Sequence, residues 1–452
     1  MIKNSPDWVS ESIFYHIYPL GYCGVSWDRI HPDSGEKLSR IKNGINYLKN
    51  MGFNAVYLGP VFQSDTHGYD TVDYFRVDDR LGSNADMKEL IKEFHDNGIK
   101  VVFDGVFNHT SRNFFAFREL VNLNGYGEYE NWYCNIQHYD SGKGLPFTYE
   151  CWGGHETLPK LNLKNHDVKN HLFEAVKFWI REFDIDGIRL DAADCLDFDF
   201  MKELKDVTDS VKGNFWLMGE IIHGDYRRWA NSHTLNSVTN YECYKGLYSS
   251  FNDTNFFEIA YALNRQFSNG GLYEDLFLYN FVDNHDVSRI HSILKNKIHI
   301  HPLHILLFTI PGIPSIYYGS EYGIEGVKQN HSDWNLRPDI NAVIGYENVN
   351  KNDIADTVKK LADIRKNNTA LKKGTYRQLH VGHEQFVFER EFYGEKMVVG
   401  VNSSCSTFRG NVKSIENGIY FDVLNGMKEF RCENGNLAYE IHPNWGMMLI
   451  KR

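Results

Sequence analysis

The stretch Gly187-Ile188-Arg189-Leu190-Asp191 is a short apolar run that closes on a carboxylate. Two further runs end in the same way, at Glu220 and at Asp286, and a fourth run, residues 101–109, ends on His109. A carboxylate at the end of a buried strand costs desolvation free energy and adds little stability, so its presence indicates chemistry. Three such endings, together with the run that ends on a histidine, predict a ring of strand ends around one active site.

Eight short apolar, β-rich runs alternate with helical patterns along the chain: residues 13–18, 54–58, 100–107, 187–190, 215–218, 237–241, 277–282 and 313–318. One intervening segment places Met87, Leu90, Ile91 and Phe94 on one helical face, and Asp86 followed by Glu89 resembles a capping-box start. Eight alternating strand and helix units predict an α/β fold, the (β/α)8 TIM barrel, whose functional loops follow the carboxyl ends of the strands.

Two segments do not fit a bare barrel. Residues 110–164 are rich in Tyr, Asn and Gly and far exceed the few residues that a strand-to-helix loop needs, which predicts a small inserted domain after strand 3. After about residue 375 the pattern alternates with a period of two, over residues 385–390, 396–401, 418–424 and 437–450. We therefore expect a barrel over 1–109 and 165–375, an inserted domain over 110–164 and a C-terminal antiparallel β-sandwich over 376–452.

Composition excludes several functional classes. The net charge of −11 and the lack of a basic run argue against a nucleic-acid partner. Seven scattered cysteines form no paired spacing and are typical of free thiols in a reducing compartment. The N-terminus has no apolar signal segment, and the most apolar stretch is interrupted by Pro311, Gly312 and Pro314, so we expect a cytoplasmic protein without a membrane partner.

Three histidines, His299, His301 and His304, have a spacing that could suggest a metal site. Pro302 stands where a helix would start, and leucines follow it, so we interpret this segment as the start of a buried helix.

Four segments carry the strand-end residues: Asp104-Gly-Val-Phe-Asn108-His109, Gly187-Ile-Arg189-Leu-Asp191, Met218-Gly-Glu220 and Phe281-Val-Asp-Asn284-His285-Asp286. In order and spacing they resemble the four signature regions of the alpha-amylase family, glycoside hydrolase family 13. The segment Leu158-Pro159-Lys160-Leu161-Asn162 is similar to the MPKLN segment of the neopullulanase, maltogenic amylase and cyclomaltodextrinase branch.

The resemblance implies a role for each acid. Asp191 would be the nucleophile that forms a covalent glycosyl-enzyme, Glu220 the general acid and then base, and Asp286 the stabiliser of an oxocarbenium-like transition state. A retaining mechanism needs the same division, with two carboxyl groups about 5 to 5.5 Å apart, one ionised and one protonated. Arg189 lies on the same strand face as Asp191 and can keep it ionised.

The resemblance also implies substrate-binding residues. His109 and His285 would bind hydroxyl groups of the reacting sugar, and the ring of Tyr69 would stack on its apolar face. Asp333 and Arg337, four residues apart after the eighth strand, resemble a pair that contacts the next sugar on the non-reducing side.

Three features of the sequence leave open how far the family pattern applies to this chain. Asp194 and Cys195 replace the residues that the family carries on the leaving-group side, so acceptor preference does not follow from the resemblance. The barrel begins almost at once, without the N-terminal β-domain of the neopullulanase branch, so the dimer that this domain builds is not implied and the oligomeric state stays open. Asn108 resembles a calcium-binding asparagine, but calcium needs six to eight oxygen ligands, and the metal stays unknown.

The sequence thus predicts a retaining glycoside hydrolase that cleaves α-1,4-glucosidic bonds in maltooligosaccharides, with cyclodextrins and pullulan as further candidate substrates and no organic cofactor. A glycosyl transferase or isomerase of the same family, such as a trehalose synthase or a sucrose-active relative, shares all three acids. A non-catalytic carbohydrate-binding protein on the same barrel is the alternative from another class, and the loss of an acid would indicate it. None of the three acids is lost.

Overall fold

A computed structural model describes residues 5–26, 37–139, 144–330, 332–343 and 353–451. No helix in these ranges is both long enough and apolar enough to cross a membrane.

Eight parallel strands form the barrel predicted from the sequence. They are β1 Phe14–Ile17, β2 Ala55–Leu58, β3 Lys100–Gly105, β4 Gly187–Leu190, β5 Trp216–Gly219, β6 Ser237–Val238, β7 Tyr279–Asn280 and β8 Ile313–Tyr317. The hydrogen-bonded order is β6-β5-β4-β3-β2-β1-β8-β7. A parallel bridge between Thr239 and Tyr279 joins the two end strands and closes the ring. A short antiparallel hairpin, Phe62–Ser64 and Thr71–Val77, follows β2.

Side chains alternate between the inside of the barrel and the helices that surround it, as period-two strands require. Phe14, Tyr57, Val102, Trp216 and Met218 belong to the interior cluster. The residues next to them in the sequence, such as Val56, Val101 and Leu217, belong to the large hydrophobic cluster between the barrel and the helices. The barrel therefore has a packed interior, and polar residues on the inward face can collect only at its open end.

The helices and their bounds are as follows: Asp7–Ser10, Pro19–Tyr22, Leu38–Asn43, Ile45–Met51, Asn84–Asp96, Phe115–Asn122, His166–Phe178, Phe198–Val211, Tyr241–Asn252, Phe257–Phe267, Ile290–Ile293, Ile300–Thr309, Ile340–Val343, Asp353–Lys366 and Thr369–Lys373. The helix Asn84–Asp96 buries Met87, Leu90, Ile91 and Phe94, as predicted. Its predicted cap was wrong: Ser83 is the N-cap and forms a reciprocal capping box with Asp86, because the serine hydroxyl reaches the backbone three residues on.

The described part of the insert packs over the end of β3. It contains the helix Phe115–Asn122 and two single 3-10 turns, Glu130–Trp132 and Trp152–Gly154. Its last segment runs back antiparallel to the extension of β3, with a bridge from His109 to Lys160, and a second bridge, from Tyr133 to Leu161, lies within the insert. The segment that resembles MPKLN therefore borders directly on the active-site end of the barrel.

The C-terminal domain is antiparallel, as predicted. Its strands are β9 Thr375–Val381, β10 Gln385–Phe392, β11 Glu395–Asn402, β12 Phe408–Lys413, β13 Gly418–Asp422, β14 Lys428–Glu433, β15 Asn436–Ile441 and β16 Trp445–Lys451. They form one sheet in the order β9-β10-β11-β16-β13-β14-β15-β12. The two halves of the sheet enclose a core of their own, which includes Val387, Val412, Leu437, Tyr439 and Leu449. The opposite face, with Phe386, Phe388 and Met448, joins the barrel core.

The three histidines lie at the start of a buried helix, and each has a separate partner. His299 Nε2 lies 3.0 Å from the Ser403 carbonyl, His301 Nδ1 lies 3.0 Å from Thr357 Oγ1, and His304 Nδ1 lies 2.8 Å from the Ile300 carbonyl. The described residues contain no cluster of three or more His, Cys, Asp or Glu that could hold a metal. The helix interpretation is confirmed.

Two buried arginines, neither with a carboxylate contact among the described residues, bind backbone carbonyls near the junction of the barrel and the C-terminal domain. Arg390 donates to the carbonyls of Thr309 at 2.6 Å, Gly374 at 2.8 Å and Thr375 at 3.1 Å. Arg365 donates to the carbonyl of Phe308, near the end of the helix Ile300–Thr309, and to the carbonyl of Gly312 in the turn that follows. Burial lowers the pKa of Arg365 to about 9, and burial together with the charge of Arg365 lowers the pKa of Arg390. These guanidinium groups satisfy carbonyl groups that the helix end leaves open.

We expect Arg390→Met to lower the free energy of unfolding by roughly 2–4 kcal/mol, because one buried and two part-buried carbonyls lose their donor. Arg409→Met, at a side chain that is 79% exposed, should change it by less than about 0.5 kcal/mol. Urea unfolding followed by circular dichroism measures both. Identical midpoints for Arg390→Met and the unsubstituted protein would contradict the anchoring role.

Candidate active site

The polar residues on the inward face of the barrel collect at the carboxyl ends of β3, β4, β5 and β7. Register brings Asp104 on β3 directly opposite Arg189 on β4, and Arg189 opposite Met218 on β5. Asp191 and Glu220 follow β4 and β5 by one residue each. The strand ends predicted from the sequence to share a site are thus brought together.

Arg189 is the hub of this arrangement. Nη1 donates to Asp104 Oδ1 at 2.8 Å and to Asp191 Oδ1 at 2.9 Å, and Nη2 lies 2.7 Å from Glu220 Oε2. Arg189 and Asp104 are 3% and 2% exposed, so these contacts form away from bulk water. One guanidinium holds the proposed nucleophile and the proposed acid side by side.

One positive charge at the hub faces three carboxyl groups. Burial raises the pKa of the Asp191 carboxyl, and the charges of Glu220, Asp104 and Asp286 add to the effect, whereas Arg189 opposes it. Ionising all three partners of Arg189 would leave uncompensated negative charge in a dry site. The site therefore favours retaining one proton among these carboxyls, as a nucleophile and acid pair requires.

Asp286 has contacts of its own with a histidine and an arginine. Its Oδ2 lies 2.9 Å from His285 Nε2, and its Oδ1 lies 3.0 Å from Arg337 Nη2. Burial alone would raise the pKa of Asp286, but His285, Arg337 and Arg189 outweigh it and hold this pKa below its ordinary value. Asp333 lies 3.6 Å from the same Arg337 nitrogen, at the outer edge of the cluster. Asp286 is therefore a fixed negative charge.

Tyr69 forms one wall of the cleft. Its hydroxyl donates to Asp104 Oδ2 at 3.0 Å and contacts His285 Nε2. Its ring stacks on the His285 ring, with centroids 5.4 Å apart and an interplanar angle of 7°. The guanidinium of Arg337 lies 5.8 Å from the centre of the same ring. Tyr69 and His285 are consequently locked in orientation.

His109 lies where the insert meets the barrel. Its Nε2 is 3.0 Å from the Tyr69 carbonyl, and Asn108 Nδ2 is 3.2 Å from its Nδ1. Burial lowers the pKa of His109 to about 4, so the ring is neutral near pH 7. Trp152, which is 38% exposed, lies against it with ring centroids 5.7 Å apart.

The sequence analysis missed three residues of the site. Asp104 lies within one of the four motifs, but the sequence analysis gave it no role. The pairing of β3 with β4 places it opposite Arg189. Tyr57 donates to Asp104 Oδ2 at 2.6 Å, and Tyr241 lies 3.3 Å from Glu220 Oε1. The two tyrosines carry no local signal, since an apolar strand or helix start accepts tyrosine for packing alone.

The two unusual residues, Asp194 and Cys195, lie in the 3-10 turn Ala193–Cys195 that follows Asp191. The Cys195 side chain is exposed. Burial of part of the side chain raises the pKa of the Cys195 thiol to about 11, Asp194 adds to this, and Lys160 opposes it. Lys160 belongs to the MPKLN-like segment, so this turn and the insert approach each other.

Asn108 is the calcium candidate of the sequence analysis. Its Oδ1 is buried and lacks a hydrogen-bond partner within the described ranges. Calcium needs about six to eight oxygen ligands, and the described residues contain no acidic cluster that would complete such a set. No step of the chemistry is assigned to a metal.

Comparisons with known proteins agree with this geometry. A family model described as the alpha amylase catalytic domain matches residues 26–369. The cyclomaltodextrinase of Thermoanaerobacter pseudethanolicus is 32% identical over 98% of this chain and 78% of its own length. The intracellular maltogenic amylase of Bacillus subtilis is 28% identical over 82% of this chain and 64% of its own length. The crystal structure of a debranching enzyme from Nostoc punctiforme superposes with a TM-score of 0.81 and 28% identity over the full length of both chains.

The matched range contains the barrel strands β2 to β8 and each of the acids Asp104, Asp191, Glu220 and Asp286. The chain belongs to the alpha-amylase family of glycoside hydrolases.

Proposed function

We propose that this protein is a retaining glycoside hydrolase that cleaves α-1,4-glucosidic bonds in maltooligosaccharides. The observation that carries the proposal is the shared guanidinium: Arg189 binds Asp191 through Nη1 and Glu220 through Nη2, so two carboxyl groups stand side by side in one buried site. Adjacent carboxyl groups suit direct attack on the sugar, whereas an inverting enzyme needs room for a water between them.

The chemistry runs in two steps. Glu220 donates a proton to the glycosidic oxygen while that oxygen leaves C1, and an oxygen of Asp191 forms a bond to C1. Glu220, now ionised, then takes a proton from water, the water oxygen attacks C1, and the bond to Asp191 breaks. Asp286, held ionised by His285 and Arg337, stabilises the positive charge that develops on the sugar ring in both steps.

The walls of the cleft orient the sugar. The Tyr69 ring is fixed by His285 and Arg337 and offers a face for the apolar side of a pyranose. We assign the binding of sugar hydroxyls to His109 and His285, and contact with the next sugar to Asp333 and Arg337.

Two other activities remain open to test. A transferase or isomerase would use the same glycosyl-enzyme with an acceptor other than water, and we assign Asp194 and Cys195 to the side where such an acceptor would enter. The likeness to a debranching enzyme raises cleavage of α-1,6 bonds as a second candidate, for which pullulan is the substrate. A non-catalytic role is disfavoured because all three acids are present, with Arg189 beside Asp191 and Glu220 and with Arg337 beside Asp286.

We also propose an intracellular location. The seven cysteines are free thiols, as they would be in a reducing compartment. A relative of 28% identity is an intracellular maltogenic amylase. Activity recovered in the medium of intact cells of the source, with little in the lysate, would contradict this proposal.

We expect Asp191→Asn and Glu220→Gln each to lower kcat/KM on maltoheptaose by several powers of ten, because each removes one reacting group. A factor of ten corresponds to about 1.4 kcal/mol of barrier. Steady-state sugar release, with far-ultraviolet circular dichroism to verify folding, measures the loss.

Asp199→Asn is the matched control, because that carboxyl is 77% exposed and pairs only with Lys202 in the part of the chain described. It should retain full activity. Either active-site variant keeping a tenth of the activity would overturn the assignment of its acid.

We expect the first product to have the α configuration at its anomeric carbon, because two displacements at C1 restore the original configuration. Proton NMR within the first minutes, before mutarotation, distinguishes the anomers. An initial β-anomer would require an inverting mechanism and a different role for Asp191.

We expect short maltooligosaccharides to be better substrates than soluble starch. The insert packs over the end of β3 and places Trp152 beside His109, which narrows access to the cleft. Values of kcat/KM per chain end on maltotriose, maltoheptaose, cyclodextrin, pullulan, sucrose and soluble starch give the ranking, and the products separate hydrolysis from transfer. Starch exceeding every oligosaccharide would indicate a polymer-degrading enzyme instead.

A further inference from the structure

The two oxygens of the Glu220 carboxyl have different surroundings. Oε2 lies 2.7 Å from Arg189 Nη2 and accepts the backbone N–H of Ala192 at 3.1 Å. Both partners are donors that cannot accept a hydrogen bond. A proton on Oε2 would point at one of these N–H groups, so the acid form of Glu220 must carry its proton on Oε1.

The partner of Oε1 is Tyr241, whose hydroxyl oxygen lies 3.3 Å away. A tyrosine hydroxyl can donate or accept, so the direction of this contact depends on the other neighbour of Tyr241.

That neighbour is Asn284, and its orientation is settled by two backbone groups. Asn284 Oδ1 accepts the N–H of Asp286 at 2.8 Å and of Val287 at 3.1 Å, which places Nδ2 3.2 Å from the Tyr241 hydroxyl oxygen. An amide nitrogen only donates, so the tyrosine oxygen accepts from it. The O–H of Tyr241 is thereby left to donate to Glu220 Oε1.

The Tyr241 ring is held in place by its position in the fold. Tyr241 is the first residue of the helix Tyr241–Asn252, which follows β6, and the buried Asn240 side chain caps that helix by accepting from the Cys243 N–H at 3.2 Å. The ring packs edge-on against Phe281, with centroids 4.9 Å apart. Three strand ends therefore meet at one hydroxyl: β5 through Glu220, β6 through Tyr241 and β7 through Asn284.

We propose that Tyr241 is a positioning residue for the acid step, acting with Asn284. Its O–H occupies one lone pair of Oε1, which directs the carboxyl proton on that oxygen to the open side, where the glycosidic oxygen arrives. In the acid step, the proton passes from Glu220 Oε1 to the leaving oxygen as the C1–O bond breaks and Asp191 bonds to C1. Tyr241 keeps its own proton, and its hydrogen bond to Oε1 becomes stronger as Oε1 becomes negative. This inference rests on the proposed function, since it concerns the same acid.

The test uses two substrates that differ in their need for an acid. Maltotriose leaves through an oxygen that must be protonated, whereas α-maltotriosyl fluoride releases fluoride with little need of a proton. We expect Tyr241→Phe to lower kcat/KM on maltotriose by about 10- to 100-fold, the worth of a hydrogen bond to a charged group. The same variant should lose less than about threefold on the fluoride, because the acid step is bypassed.

Tyr244→Phe is the matched control, since this tyrosine lies on the same helix and stacks on Phe281, with ring centroids 5.1 Å apart; it should leave both substrates unchanged. Equal losses of Tyr241→Phe on both substrates would indicate a packing role and overturn the proposal. No loss on either substrate would overturn it as well. Failure of the unsubstituted protein on both substrates would instead refute the proposed function, so the two failures are distinguishable.

Discussion

The arrangement of the active site depends on the ion pairs that Arg189 makes with Asp104, Asp191 and Glu220. A guanidinium has a planar fork of donors, and only such a fork can hold carboxyl groups from three adjacent strands at once. The barrel makes this feasible because β3, β4 and β5 are parallel and in register, with Asp104 opposite Arg189. A shift of one residue in either strand would turn the arginine or the aspartate toward the helices.

The charge balance of the cleft follows from that constraint. Arg189 compensates its three carboxyl partners incompletely, so the site favours keeping one proton among them, while Asp286, which contacts His285 and Arg337, stays ionised. Burying these groups costs free energy that the surrounding hydrophobic core must offset, and the interior aromatic cluster with Phe14, Trp216 and Tyr279 lies directly below them. The rigid barrel and the polar cleft are thus two parts of one arrangement.

Much of the fold could be predicted from the sequence, because short apolar runs that alternate with helical patterns are strong local signals, and three of those runs lead to an acid. All eight barrel strands coincide with predicted runs, and Asp191 pairs with Arg189 as expected, beside Glu220. Three polar C-terminal strands, β9, β12 and β14, were not predicted: β12 and β14 bury few side chains, and β9 is largely part-buried, so the hydrophobic pattern is weak. The run 437–450 is two strands, since the chain turns near Asn444, which has a positive φ of 49°.

The contacts of Tyr57 and Tyr241 could not be predicted, because they join residues far apart in the chain whose side-chain directions depend on the closed barrel. The domain boundaries and the roles of the site residues likewise stay predictions that geometry supports. The role of the insert in selecting substrates depends on how Trp152 and the turn carrying Cys195 face an incoming sugar, which no pattern in one sequence encodes.

The central claim is that Asp191 forms a covalent bond to the sugar while Arg189 holds Glu220 beside it. The most direct measurement is peptide mass spectrometry of the Glu220→Gln variant after reaction with α-maltotriosyl fluoride. This variant can form the glycosyl-enzyme from the fluoride, and the missing base slows hydrolysis of the glycosyl-enzyme. The account predicts a maltotriosyl adduct on the peptide that contains Asp191, located at that residue by fragmentation. An adduct on another residue, or none while fluoride is still released, would contradict it.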